Sequence, residues 1–176
     1  MKRDNPSEYS KLLIERANSL ITYGDLLSTK EWRDFRNNIV KKALYACKCC
    51  SKTQTENAWE INGKGSNGPI YIHQDIFGDA KYTGDNVRLN VHHKYYVKNQ
   101  LPWEYPESAL ITVCAKCHQN IHENETIPVY SSILLKDVEN VNYCNTCDGS
   151  GYRDEYHYYL NGICFECNGQ GFHYKN

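Results

Sequence analysis

CAKCHQNIH, residues 114–122, holds two cysteines and two histidines within nine positions. Either the four side chains share one metal, or two different sites meet here. His118 and His122 are four apart, so on a helix they share a face. His118 follows Cys117 directly and lies about 100° around the helix from it, so the cysteines and the histidines can serve different ions. The partners for Cys114 and Cys117 are then Cys47 and Cys50, the C-x-x-C that lies upstream. VHHKYY, residues 91–96, supplies two more imidazoles. His92 and His93 are neighbours on an expected strand and so face opposite sides of it. One of them can join His118 and His122 around a metal while the other stays free beside it. A free imidazole next to a Lewis-acidic metal is the apparatus of phosphodiester hydrolysis: the base takes a proton from water, and the metal stabilises charge on the phosphate and the leaving oxygen.

Nine cysteines stand in the chain, eight of them in the C-x-x-C pairs 47/50, 114/117, 144/147 and 164/167. Such uniform close pairing aims thiolate pairs at tetrahedral zinc rather than into a disulfide framework. Cys49 is left over, as an alternative ligand to Cys47 or Cys50 or as a free thiol. The last two pairs belong to a repeat, CNTCDGSG at 144–151 and CFECNGQG at 164–171. Its glycines permit the positive φ of a tight knuckle. With YRDEYHYYLNG as a hairpin between them, Cys144, Cys147, Cys164 and Cys167 close a second zinc site. A tail this short buries little core, so metal supplies its stability.

Upstream, apolar spacing predicts a helix over 6–22 that Gly24 and Asp25 break. A second helix starts at Ser28, with Ser28 and Glu31 as a capping box. Its apolar stripe is Trp32, Phe35, Ile39, Val40 and Ala43. Its other face carries Lys30, Arg33, Arg36, Lys41 and Lys42. From Lys30 to Lys48 there are six basic and two acidic residues, a local net of +4. Arg33, Arg36, Lys41 and Lys42 are therefore the candidate phosphate contacts. Residues 51–69 read as loop, with NGKGSNGP as a turn cluster. Strands are expected at 70–73, 87–93 and 109–114, a turn at PWEYP (102–106), and a helix over 116–123.

With 20 Lys+Arg against 21 Asp+Glu, the chain as a whole makes no electrostatic case for nucleic acid. From Lys136 to Asn176 three basic and six acidic residues give −3, which disfavours the tail as the main DNA clamp. The N-terminus has no signal-peptide pattern and no stretch reaches the roughly 18 apolar residues of a membrane span. The expectation is a soluble, cytoplasmic protein without a membrane partner. His73, His157 and His173 read as ordinary surface or strand histidines.

The run NVHHKYYVKNQLPWEYPESALITVCAKCHQNIH, with EWRDFRNNIVKKALYACKCC upstream, resembles the HNH or ββα-metal endonucleases. The similarity covers roughly residues 23–130 without the 51–85 insert. The resemblance implies an α+β fold in which a β-hairpin packs on a helix around one divalent ion. It implies His93 as general base, His92, His118 and His122 as ligands, and DNA cut to 5′-phosphate and 3′-hydroxyl ends. The ion is Mg²⁺, Mn²⁺, Ni²⁺ or Zn²⁺. The family's middle asparagine, five residues before the second knuckle, is here Ala109. It normally holds the loop and orients the base; its absence implies either weakened activity or a loop braced instead by PWEYP through Glu104. The tail resembles the cysteine-rich zinc domain of DnaJ chaperones over about 30 residues, with two repeats where that family has four. Its expected role is a stability cap, or a protein-docking or DNA-positioning finger, with Tyr152, Tyr156, Tyr158 and Tyr159 either packing on each other or stacking on bases.

The expected organisation is a helical segment over 1–28, a nuclease domain over 29–130 and a zinc finger over 131–176. The competing readings are a catalytically inactive DNA-binding module and a zinc-dependent interaction protein.

Overall fold

A short antiparallel hairpin and the helix that follows it form the centre of the chain. In the computed structural model, which describes residues 7–17, 20–57, 71–74, 80–83, 86–159 and 162–175, strand β4 (Leu89–His93) pairs with β6 (Leu110–Cys114). The register sets Leu89 against Cys114, His92 against Ile111 and His93 against Leu110. Helix α4 (Ala115–Asn124) leaves the end of β6 directly, with Cys114 as its N-cap residue. The expected strands and helix are all present, each within two residues of its expected bounds. The start of the first strand is displaced because Val87 and Thr55 bond each other through Val87 N–H to Thr55 Oγ1 (2.7 Å) and Thr55 N–H to Val87 O (3.0 Å).

Three helices precede the hairpin. Helix α1 (Glu8–Glu15) is capped by Ser7, whose hydroxyl accepts from Ser10 N–H. The expected start at Pro6 lies outside the described residues. Gly24 and Asp25 do not end this helix but begin another, α2 (Tyr23–Leu27). The reason is a capping box formed by Thr22 and Asp25: Asp25 N–H donates to Thr22 Oγ1 (3.2 Å) and Thr22 N–H to Asp25 Oδ2 (2.8 Å). Helix α3 (Lys30–Lys42) starts two residues later than Ser28, capped by Thr29. Ser28 instead closes α2, its hydroxyl donating to Gly24 O, and Glu31 accepts from Tyr9 N–H. Trp32, Ile39, Val40 and Ala43 are buried as the stripe requires. Trp32, Ile39 and Val40 pack with Leu89, Val91, Leu110 and Val113 of the hairpin.

The 51–85 interval holds three strands where one was expected. β1 (Glu56–Asn57), β2 (Tyr71–Gln74) and β3 (Ala80–Thr83) form an antiparallel sheet in that order. NGKGSNGP at 62–69 lies outside the described residues. Downstream, β5 (Tyr96–Val97) pairs in parallel with β7 (Val129–Tyr130). The tail is closed by β8 (Val141–Tyr143) against β9 (Phe172–Tyr174). The arm expected as a hairpin is paired at its base by a Tyr152–Ile163 bridge and continues as a single 3₁₀ turn, Asp154–Tyr156. The architecture is α+β. Among the described residues no helix is long and apolar enough to cross a membrane.

Candidate metal centres and the cleft beside them

Among the described residues, three groups of side chains can hold a metal ion: Cys47, Cys50, Cys114 and Cys117; Cys144, Cys147, Cys164 and Cys167; and His92, His118 and His122. Within each, the donor atoms lie no more than 4.8 Å apart. None of the cysteines is in a disulfide.

The first tetrad joins the loop after α3 to the β6–α4 junction. The loop turns back through Leu44, Tyr45 and Ser51, all at positive φ. Cys47 N–H donates to Lys52 O (2.8 Å), and Lys48 N–H ties the loop to Thr112 O of β6 (2.9 Å). The Sγ atoms of Cys50 and Cys114 are 3.7 Å apart. Tetrahedral zinc with Zn–S bonds of about 2.3 Å requires S···S edges of about 3.8 Å. Burial pushes the Cys47 thiol up, but the N–H groups of Cys114, Cys50 and Cys49 outweigh it and hold Cys47 below the ordinary thiol range. That favours the thiolate, which is the ligand form. Cys49 is exposed and outside the tetrad.

The second tetrad is buried throughout and has internal pseudosymmetry. Gly151 N–H donates to Cys147 Sγ and Gly171 N–H to Cys167 Sγ, each at 3.2 Å. Cys144 N–H reaches Gly171 O, and Cys164 N–H reaches Gly151 O. The last glycine of each repeat is obligatory for a second reason besides its positive φ. A Cβ at Gly151 would stand 2.1 Å from Gly169 O, and one at Gly171 would stand 2.2 Å from Gly149 O. The S···S distances of 3.7 and 4.0 Å again match a tetrahedral edge.

The histidine trio lies between these tetrads. His92 comes from β4, and His118 and His122 come from one face of α4. The ring centroids are 4.8–5.1 Å apart. His92 is 3 % exposed, His118 7 % and His122 9 %. Nδ1 of His92, Nδ1 of His118 and Nε2 of His122 are buried without a hydrogen-bond partner. Three orphaned nitrogens in one place are costly unless something satisfies them. Burial also drives His92 down to about 3, His118 well below its ordinary value and His122 to about 4. The rings are therefore neutral at pH 7, the form that coordinates. The donor set fits a divalent ion that accepts imidazole.

His93, adjacent in sequence, is outside the trio. Its ring stacks on Trp32 (5.6 Å between centroids, 22° between planes) and meets Tyr105 edge-on at 4.5 Å. Nε2 is 3.0 Å from Pro102 O. A carbonyl only accepts, so Nε2 carries the proton and Nδ1 keeps a basic lone pair. Burial lowers His93 to about 4, so it is unprotonated at neutral pH. The turn that presents Pro102 O is closed by Glu104. Leu101 N–H donates to Glu104 Oε2, and Glu104 N–H donates to Leu101 O, both at 3.0 Å. Ala109 is buried, its carbonyl accepting from Lys94 N–H.

A cleft of about 520 Å³ opens over His92, His93 and His118. Arg33, Arg36 and Arg88 line it, and no aspartate or glutamate is among its described lining residues. The four candidate phosphate contacts separate here. Arg33 reaches the cleft while pairing with Glu8 (3.1 Å), and Arg36 reaches it while donating to Leu89 O. Lys41 is exposed away from the cleft lining, and Lys42 pairs with Glu107. Arg88 and Asn90 were not singled out from sequence. They precede His92 by four and two residues, and period two was the available signal. Asn90 Nδ2 has no partner. His157 is exposed yet lines the cleft, and His173 is exposed on β9. The side chain of His73 lies outside the described part of the structure. No protein-family model, curated protein or solved structure matches the chain.

Proposed function

We propose that the chain is a metal-dependent endonuclease of the HNH type, hydrolysing DNA phosphodiester bonds. One observation carries the reading: three orphaned imidazole nitrogens stand beside a fourth histidine with a free Nδ1, under a cleft lined by arginines and no described carboxylate. Glu8 and Asp154, which pair with Arg33 and Arg88, stand outside the described lining, and guanidiniums facing the cleft favour a phosphodiester. His92, His118 and His122 hold the ion. When bound, a divalent ion supplies charge stabilisation on the scissile phosphate and the leaving oxygen. His93 Nδ1 takes the proton of the attacking water, and Pro102 O fixes the ring's tautomer by accepting from Nε2–H. Arg33, Arg36 and Arg88 hold the phosphate. Water adds to phosphorus and the P–O3′ bond breaks, leaving 5′-phosphate and 3′-hydroxyl ends. The cysteine tetrads are structural zinc sites that fix the ends of β6 and the tail.

The test is relaxation of supercoiled plasmid by wild type and His93→Ala in Mg²⁺, Mn²⁺, Ni²⁺ and Zn²⁺. Wild-type cutting with a loss of about 10²–10⁴-fold in the variant supports the reading. Equal cutting by both removes His93 as base. No cutting of plasmid or of a single-stranded oligonucleotide by a folded, zinc-loaded wild type overturns the nuclease and leaves a binding module.

A further inference from the structure

We propose that the C-terminal zinc unit is the second wall of the cleft and selects an unpaired DNA strand, with Tyr152 stacking on the base next to the phosphate held below. This deepens the nuclease reading and rests on it for the identity of that phosphate.

The cleft has two different sides. Trp32, Arg33 and Arg36 of α3 form one, and Gly151, Tyr152 and His157 form the other. The histidines are at its base. A volume of about 520 Å³ lies in the size range of small-ligand sites and takes about one or two nucleotides. A base can stack on a side chain there only when it is unpaired and free of its own stack.

Tyr152 is held in place before any ligand arrives. Its ring centroid is 6.2 Å from that of His118. Its hydroxyl donates to Asp154 Oδ1 at 2.7 Å, and the same oxygen takes Arg88 Nη2 at 2.7 Å. Arg88 immediately precedes the strand that carries His92. One side edge of the ring lies against Gly162, where a Cβ would stand 2.5 Å from Tyr152 Cε2. A half-buried aromatic fixed at its hydroxyl and along one edge beside a cationic cleft is a stacking platform with little ordering entropy left to lose.

A separate set of rings extends the same surface outward. Tyr156, Tyr158 and Tyr159, which flank His157 in sequence, and Phe165 are 40 %, 75 %, 55 % and 52 % exposed. Tyr156 and Tyr159 lie 6.1 and 5.5 Å from Phe165. The tail carries net charge −3 from Lys136 to Asn176, so it is not suited to grip phosphates. Neutral rings on the acidic side and guanidiniums on the α3 side divide the strand between them, with bases against the tail and backbone against the helix.

The experiment measures fluorescence anisotropy of a labelled oligothymidine of about 12 nucleotides, alone and paired with oligoadenine. The proteins are full-length His93→Ala alone and combined with Tyr152→Ala or Tyr152→Phe, with zinc content checked in each. The same oligonucleotides are offered to the catalytic wild type for cutting. Expected is a preference of at least about tenfold for the single strand, cut to about threefold or less by Tyr152→Ala and kept by Tyr152→Phe. Equal affinity for both forms overturns the proposal, and so does an undiminished preference in zinc-loaded Tyr152→Ala. Cutting without strand preference leaves the nuclease and sinks this inference. Tyr152-dependent preference without cutting sinks the nuclease and leaves a single-strand reader.

Discussion

Replacing Glu104 with alanine tests whether the 101–104 turn orients His93. Glu104 Oε2 accepts from Leu101 N–H at 3.0 Å, and the turn so closed places Pro102 O 3.0 Å from His93 Nε2. A hydrogen bond to a charged group contributes about 1.5–3 kcal/mol. The Glu104 side chain is exposed, and solvent screening brings that to about 1 kcal/mol. If the loosened turn passes that energy to the orientation of His93, cutting slows about fivefold. The melting temperature drops by about 2–4 °C for a chain of this size. Glu104→Gln keeps an acceptor oxygen and should stay within about twofold of wild type. The assay is the initial rate of plasmid relaxation at saturating metal, with thermal melts of the same preparations. A melting temperature that falls while the rate does not would refute the reasoning. Buried Pro102 and the Tyr105 hydroxyl, which accepts from Val97 N–H at 2.8 Å, would then hold the carbonyl unaided.

Further outcomes follow from the metal centres. Cys164→Ser should lower bound zinc by one equivalent relative to wild type, because the structure holds two separate cysteine tetrads. It should also make the tail sensitive to protease, as metal binding there supplies the folding energy; an unchanged metal content would overturn the assignment. His118→Ala should weaken Ni²⁺ or Zn²⁺ binding at the histidine site by at least about tenfold with tetrad zinc retained, as read by calorimetry on zinc-loaded protein. Stability should fall as pH drops from about 6.5 toward 4. Burial lowers His93 to about 4, so over that window the unfolded chain binds a proton that the folded site refuses, which removes about 2 kcal/mol by pH 5 for this one residue. Urea midpoints that do not change between pH 7 and 5 would contradict that burial.

The elements legible in sequence are those whose local chemistry and long-range packing agree. The α3 stripe and the strand before CAKC each carry an apolar period that the core uses directly, so their faces as well as their bounds were readable. Helix starts were less so: Ser28 was expected to cap the second helix, but its hydroxyl donates to Gly24 O and Thr29 caps α3 instead. The intervening α2 starts at Thr22 because Asp25 returns its bond, and because Gly24 lets Asn168 O approach to 2.7 Å from its own N–H. That second contact comes from 144 residues away, beyond any local window. The two-residue strands β1, β5 and β7 escape for a similar reason: each exists only through its partner.

At the site, spacing alone could group the metal-binding side chains. C-x-x-C and H-x-x-x-H are geometric statements, since a turn or a helix fixes which donors converge. It could not decide between His92 and His93, which alternate on one strand. The structure separates them by their neighbours: α4 brings His118 and His122 to His92, while Trp32, Tyr105 and Pro102 O enclose His93. The cleft was less legible still, because its walls come from α3, β4 and the tail, which no single motif spans. Its arginines illustrate this. Arg33 and Arg36 were found through a run of positive charge, but Arg88 has no such company and reaches the cleft only by sharing a strand face with Asn90 and His92. Charge clustering in sequence counts neighbours along the chain, whereas a phosphate is held by neighbours in space, and here only two of the four clustered candidates are among them.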